Sequence, residues 1–196
     1  MKFQIFKKFK TTEWIFFISY LLSIILLTYR LFSNCIPEVN CVIYENIISL
    51  LTLSIIFGVL GYIAYKDFKT MEIDNLTSLV LMLFLIVITV ILFFIPSYKE
   101  WAYQKLLGAV ILGSIFQLIV LLTKEKGLGQ GDVRLAIISG ILVGIDNLVP
   151  WLYITIFSAL IYGLVLAKKK KKFKGLKIPF VPFMVLGIVV TLVMFL

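Results

Sequence analysis

The sequence predicts an all-α polytopic membrane protein: a bundle of about seven transmembrane or partly inserted helices, amino terminus in and carboxyl terminus out. Three observations lead there. Of the 196 residues, 62% are hydrophobic and only 15% charged, and the mean hydropathy is +1.10. A soluble domain of this length could not hide so much apolar surface, whereas a bilayer solvates it. The apolar residues also come in continuous runs, where a membrane β-barrel would show alternating strands. Finally, the cations collect in alternate loops, as they do when a chain threads a membrane repeatedly.

The runs are Trp14–Phe32, Ile47–Tyr65, Leu76–Ile95, Leu106–Thr123, Val133–Ile145, Leu152–Ala167 and Ile178–Leu196. The first follows the basic stretch Met1–Lys10, as a secretory signal would. It is long enough to span and no small-residue cleavage site follows it, so it reads as an uncleaved span. The fifth is short for a full crossing. Following a Gly-rich loop, it is expected to be partly inserted or shielded inside the bundle.

With the amino terminus inside, 16 of the 19 Lys and Arg residues fall in cytoplasmic segments, leaving Arg30, Lys99 and Lys105 outside. The outer loops then carry Tyr98, Trp101, Tyr103 and Trp151 as expected interfacial anchors. Cys35 and Cys41 share the first outer loop, either as a disulfide or as two free thiols. On the inner side, Lys168, Lys169, Lys170, Lys171 and Lys172 set topology and meet anionic lipid headgroups, at about 1 kcal/mol per cation. No aromatic-interleaved surface accompanies them, so nucleic acid is not an expected partner.

The composition removes several chemistries. With no histidine there is neither a His-based zinc protease motif nor a Ser-His dyad. Two cysteines are too few for a four-thiolate zinc site, and no phosphate-binding loop of the Walker type occurs. No metal and no cofactor are expected.

What remains is carboxylate chemistry, and two aspartates stand out. Asp67 and Asp132 each lie where an apolar run meets a short polar loop, and the topology puts both on the cytoplasmic side. Border acids of this kind are functional candidates, and two of them from different segments suffice for acid/base hydrolysis of a peptide bond. Taken alone, Tyr65–Asn75 reads as an ordinary polar turn with Asp67 paired to Lys66 or Lys69. The segment Gly127–Arg134 is less ordinary. Gly127, Gly129 and Gly131 permit positive φ and the close approach of another chain, and Asp132 stands near a helix start, where the dipole favours a negative charge. A flexible loop with an acidic N-cap would explain Asp132 but not the glycine spacing.

These residues resemble the type IV prepilin peptidases and the related archaeal preflagellin peptidases, which are Gly-x-Gly-Asp intramembrane aspartyl proteases. Asp67-x5-Ile73-Asp74-Asn75 is similar to the family's first aspartate motif, and Gly129-Gln130-Gly131-Asp132-Val133-Arg134 to its second, with arginine where lysine is common. Lys177-Ile178-Pro179-Phe180-Val181-Pro182-Phe183 resembles a two-proline string near the carboxyl terminus. Asp74 departs from a usual proline and Val181 from a usual glycine. The matches cover roughly residues 62–187 of a single membrane-embedded domain, 1–196, in which 1–45 supplies an extra span and outer loop.

The resemblance implies an aspartic endopeptidase of the cytoplasmic membrane that removes the basic leader from pilin-like precursors. Asp67 and Asp132 would be catalytic. Gly129 and Gly131 would let the substrate backbone approach, Glu72, Asp74 and Glu125 would be the acids near the leader's lysines, and Arg134, Pro179 and Pro182 would give support. Arg134 would orient Asp132 or touch a lipid phosphate. The cysteine-rich cytoplasmic domain that many bacterial members place after the first span is missing, so neither N-methyltransferase activity nor S-adenosylmethionine binding is expected. The rival from another class is a small ion- or proton-coupled transporter or channel subunit using the same aspartates, which would place them near the bilayer midplane.

Overall fold

A computed structural model of the chain describes residues 43–124, 127–170 and 178–195. The expected first span Trp14–Phe32, Cys35, Cys41, Glu125, Lys171 and Lys172 lie outside these residues. Among the described residues there are six α-helices and no strand: α1 (Ile43–Thr70), α2 (Asn75–Phe93), α3 (Lys99–Thr123), α4 (Gln130–Val143), α5 (Leu148–Lys170) and α6 (Val181–Phe195), with a 3-10 turn at Pro96–Tyr98. Four stretches are long and apolar enough to cross a membrane: Leu51–Thr70, Asn75–Phe93, Pro96–Thr123 and Leu148–Lys169. Their outward faces carry large apolar side chains such as Leu76, Leu122 and Val165, which are exposed and suited to lipid. The molecule is an all-helical membrane protein.

The helices coincide with the expected runs at their centres and overshoot several of them at the ends, because a helix continues its backbone hydrogen bonds into the headgroup layer, where polar side chains are solvated. Thus α1 runs on through Lys66 and Lys69 before Met71, in a left-handed conformation (φ 55°), stops it. Likewise α4 begins at Gln130, so Asp132 lies in its first turn.

Helices α4 and α6 are short. Their 14 and 15 residues span only about 21 and 22 Å, against a hydrocarbon thickness of ~30 Å. They avoid the mismatch by packing inside. Ten of the 14 residues of α4 are buried, and α4 packs on α2, α3 and α6, while α6 also packs on α1 and α5. This matches the expectation that the fifth run is shielded within the bundle.

The tightest seam is between α3 and α4. A Cβ at Gly140 would stand 2.5 Å from the backbone of Gly108, and one at Gly108 would stand 2.7 Å from the Gly140 carbonyl oxygen. Only two glycines let these backbones meet so closely. At the far end of the same seam Lys105 donates to the Leu142 and Val143 carbonyls at 2.9 and 3.1 Å, satisfying the open end of α4.

One expected anchor is corrected. Tyr98, Trp101 and Tyr103 are half exposed, but Trp151 is 0% exposed. It lies in the core, its indole N–H donating to the Met184 carbonyl at 3.2 Å, so it ties α5 to α6.

Gly140→Val is therefore expected to pry α3 from α4 at a cost of about 1–3 kcal/mol, lowering the melting temperature in detergent micelles followed by circular dichroism. Gly58→Ala is the control: nothing lies within 4 Å of the added methyl, and stability should hold or rise.

Candidate active site

On α1, the residues Ile56, Leu60, Ile63 and Asp67 fall at helical spacing on one buried stripe. Asp67 continues that stripe to the end of the helix, which is why it points into the bundle and is only 5% exposed. The lysines beside it face elsewhere. Lys66 pairs with Asp74 at 3.3 Å, and the Lys69 ammonium sits 5.8 Å from the centre of the Tyr65 ring. The polar-turn pairing of Asp67 with either lysine is thus not what forms. Asp67 Oδ2 instead accepts a hydrogen bond from the backbone N–H of Val181 at 3.1 Å.

That N–H is free because α6 starts there. The first-turn amides of a helix have no internal partner, and Pro182, one residue on, has none to lose. Pro179 and Pro182 are both buried. Phe180 between them packs on Phe116 of α3, ring centres 6.2 Å apart. Tyr162 of α5 touches Phe68 of α1 at 6.3 Å and Phe183 of α6 at 5.3 Å. These rings fix the start of α6 against the end of α1, and so hold Val181 at the Asp67 carboxylate.

Asp132 is the third residue of α4. Gly129 precedes the helix in an extended conformation (φ −98°, ψ 169°). Its N–H donates to Asp132 Oδ2 at 2.9 Å, while its carbonyl accepts from the Asp132 N–H at 3.1 Å. Asp132 is 9% exposed. Each aspartate is therefore buried and tethered through one oxygen to a backbone amide.

Around this pair, the loop after α1 folds back over the start of α4. Ile73 lies against Gly131: a Cβ there would meet Ile73 Cδ1 at 2.7 Å and Ile73 Cβ at 2.9 Å. Arg134 donates from one guanidinium nitrogen to both the carbonyl and the side-chain oxygen of Asn75, each at 3.1 Å. Asp74 accepts from the Thr77 hydroxyl at 2.9 Å. Thr77, and after it Lys66, hold the Asp74 carboxyl below its ordinary pKa. Glu72 is exposed on the same loop. Lys168 and Lys169 are exposed near the end of α5. Among the described residues no group of three His, Cys, Asp or Glu side chains is placed to hold a metal ion.

Several expectations change here. Gly131, assigned from sequence to substrate approach, has the space above it filled by Ile73. None of Gly127, Gly129 and Gly131 uses a positive φ, which among the described glycines occurs at Gly144. Gly129 keeps the open side, since a Cβ there would come no nearer than 3.9 Å to Asp132 Oδ2. Arg134 takes Asn75 as its hydrogen-bond partner. The roles of Val181, Ile73 and Asn75 escape sequence reading. The paired prolines were the one signal pointing to a helix start with free amides.

Asp67→Ala would strand the Val181 N–H in a buried place at a cost of about 1–3 kcal/mol, whereas Asp67→Asn keeps an oxygen acceptor. The alanine variant should melt measurably lower than the asparagine variant in the same detergent.

A family model described as the type IV leader peptidase family matches residues 54–166, from within α1 to within α5, and so takes in both aspartates. No curated protein and no solved structure matches the chain.

Proposed function

The chain belongs to the type IV leader peptidase family, and from that premise we propose that this membrane peptidase is an aspartic endopeptidase. Its substrates would be type IV pilin-like precursors, cut at the cytoplasmic face of the cell membrane to release a basic leader. The observation that carries the reading is the pair of buried carboxylates, Asp67 from α1 and Asp132 from α4, each held by one oxygen on a backbone amide.

Two nearby carboxylates cannot both ionise easily, so they share one proton and titrate as a unit. The ionised member takes a proton from a water molecule, whose oxygen attacks the scissile carbonyl carbon. The protonated member gives its proton to the carbonyl oxygen. The resulting gem-diol collapses as the pair gives its proton to the leaving nitrogen and takes one back from a gem-diol hydroxyl, so that the C–N bond breaks, a carboxylic acid and an amine form, and one shared proton is restored. Tethering of one oxygen of each carboxylate leaves the other free for these transfers and spares the pair reorganisation during reaction.

The surroundings support the substrate. An open, largely apolar groove between α2, α3 and α4 is lined by Ile86, Ala109, Gly113, Gln117, Val133 and Ile137. Its lining includes Val133, the residue after Asp132, and its apolar character suits the hydrophobic helix that follows the cut. Asp74 is engaged by Lys66 and Thr77, and among the described residues exposed Glu72 is placed to meet a leader cation. The clustering of Lys66, Lys69, Lys124 and Arg134 around these loops supports a cytoplasmic location by the positive-inside rule. A transporter would want its acids at mid-helix depth; Asp67 is on the last turn of α1 and Asp132 on the first turn of α4, which favours hydrolysis at one face.

Co-expression with a candidate pilin precursor, followed by mass spectrometry of the product, tests the reading. The wild-type chain should release the leader, while Asp67→Asn and Asp132→Asn should leave the precursor intact although both variants insert. Complete processing by either variant would contradict it. Chelation with EDTA should leave the rate unchanged, because the carboxylates need no metal.

A further inference from the structure

The helices packed on α4 are chiefly α2, α3 and α6; α1 is not among its main neighbours. Yet α1 carries Asp67 and α4 carries Asp132, so the separation of the two acids must be set by something other than direct helix packing. One route passes through α6, by way of the Val181 amide. The other is the loop after α1. We infer that Ile73, together with the Arg134–Asn75 pair, forms a clasp that presses this loop onto the first turn of α4 and fixes the spacing of Asp67 and Asp132.

The geometry is compact. Ile73 is six residues beyond Asp67, and the residue it covers, Gly131, immediately precedes Asp132. The left-handed turn at Met71 (φ 55°) reverses the chain so that Ile73 comes back over α4. The Ile73 side chain is half-buried and joins the core. Being β-branched, it is stiff at χ1 and transmits position well. Gly131 is the socket: any side chain there would collide with Ile73, including its Cβ, which cannot swing away. Two residues on from Ile73, Asn75 receives both hydrogen bonds of Arg134, so the loop is pinned to α4 by an apolar contact and a polar one. Ile73, Asn75 and Arg134 act on the reaction through the aspartates and are positioning residues.

The inference rests on reading Asp67 and Asp132 as the reacting pair, so its test needs a readout independent of cleavage. Spin labels at Lys69→Cys and Gln130→Cys, both exposed positions, report the spacing of the two segments. They are placed in the full chain with Cys35 and Cys41 changed to serine and measured by pulsed dipolar spectroscopy in lipid nanodiscs. A narrow distance distribution is expected with Ile73 present. Ile73→Ala and Gly131→Ala should each broaden it at least about twofold, while Ile73→Val, which keeps the branched shape, should not. In the processing assay Ile73→Ala should lower kcat, by about 100-fold for an ångström of misplacement, with KM unchanged and Ile73→Val near wild type. An unchanged distance distribution in Ile73→Ala overturns the clasp. So does a broadened distribution with wild-type kcat. Failure of the wild-type chain to cleave any precursor counts against the peptidase reading instead, and the distance measurement still decides the clasp.

Discussion

A carboxylate taken out of water inside a helical bundle is costly, by several kcal/mol even after relaxation, unless the site supplies hydrogen-bond donors. Among the described residues no cation pairs with Asp67, and the donor is the amide of Val181 at 3.1 Å. Much of the architecture follows from that bond. It requires a helix to begin beside the end of α1, with its first amide unspent. The buried Pro179 and Pro182 and the ring contacts of Phe180, Tyr162 and Phe183 hold that helix start in place. Asp132 solves the same problem locally, through the amide of Gly129.

The two short helices make this arrangement compatible with a membrane. A helix that faced lipid along its whole length would have to match the bilayer, and its polar end would then lie in the headgroups. Buried behind α1, α2, α3 and α5, the helices α4 and α6 can start deeper in the protein and deliver backbone amides to a buried site. The Gly108–Gly140 seam lets α4 sit close against α3 at the price of any side chain there. The site is thus framed by backbone groups and apolar contacts, with the charged residues of the loops kept at its rim.

Much of this was legible from sequence because the signals were local. Continuous apolar runs located the six described helices, and the alternating cations placed both aspartates on one side. The length of the fifth run and the Gly-rich loop before it left partial insertion and shielding as alternatives, and the packing of α4 shows shielding. Helix ends were less legible, since hydropathy falls before the hydrogen-bond ladder does, and Asp67 is one residue caught in that gap. The unreadable parts were long-range. That Gly131 is a socket depends on a chain reversal at Met71 and a side chain 58 positions away. Arg134 finds Asn75 across 59 positions. An aromatic residue beside a loop looks the same whether it anchors at the interface or, like Trp151, turns inward to a carbonyl.

The proposed function has one central requirement: Asp67 and Asp132 share a proton and hydrolyse a peptide bond together. Its most direct test is the pH dependence of kcat/KM for precursor processing by the purified chain in nanodiscs. A shared proton predicts a bell-shaped profile, its acid limb marking protonation of the pair and its alkaline limb loss of the remaining proton. A profile with a single limb, or none across the range where the fold is intact, would contradict it.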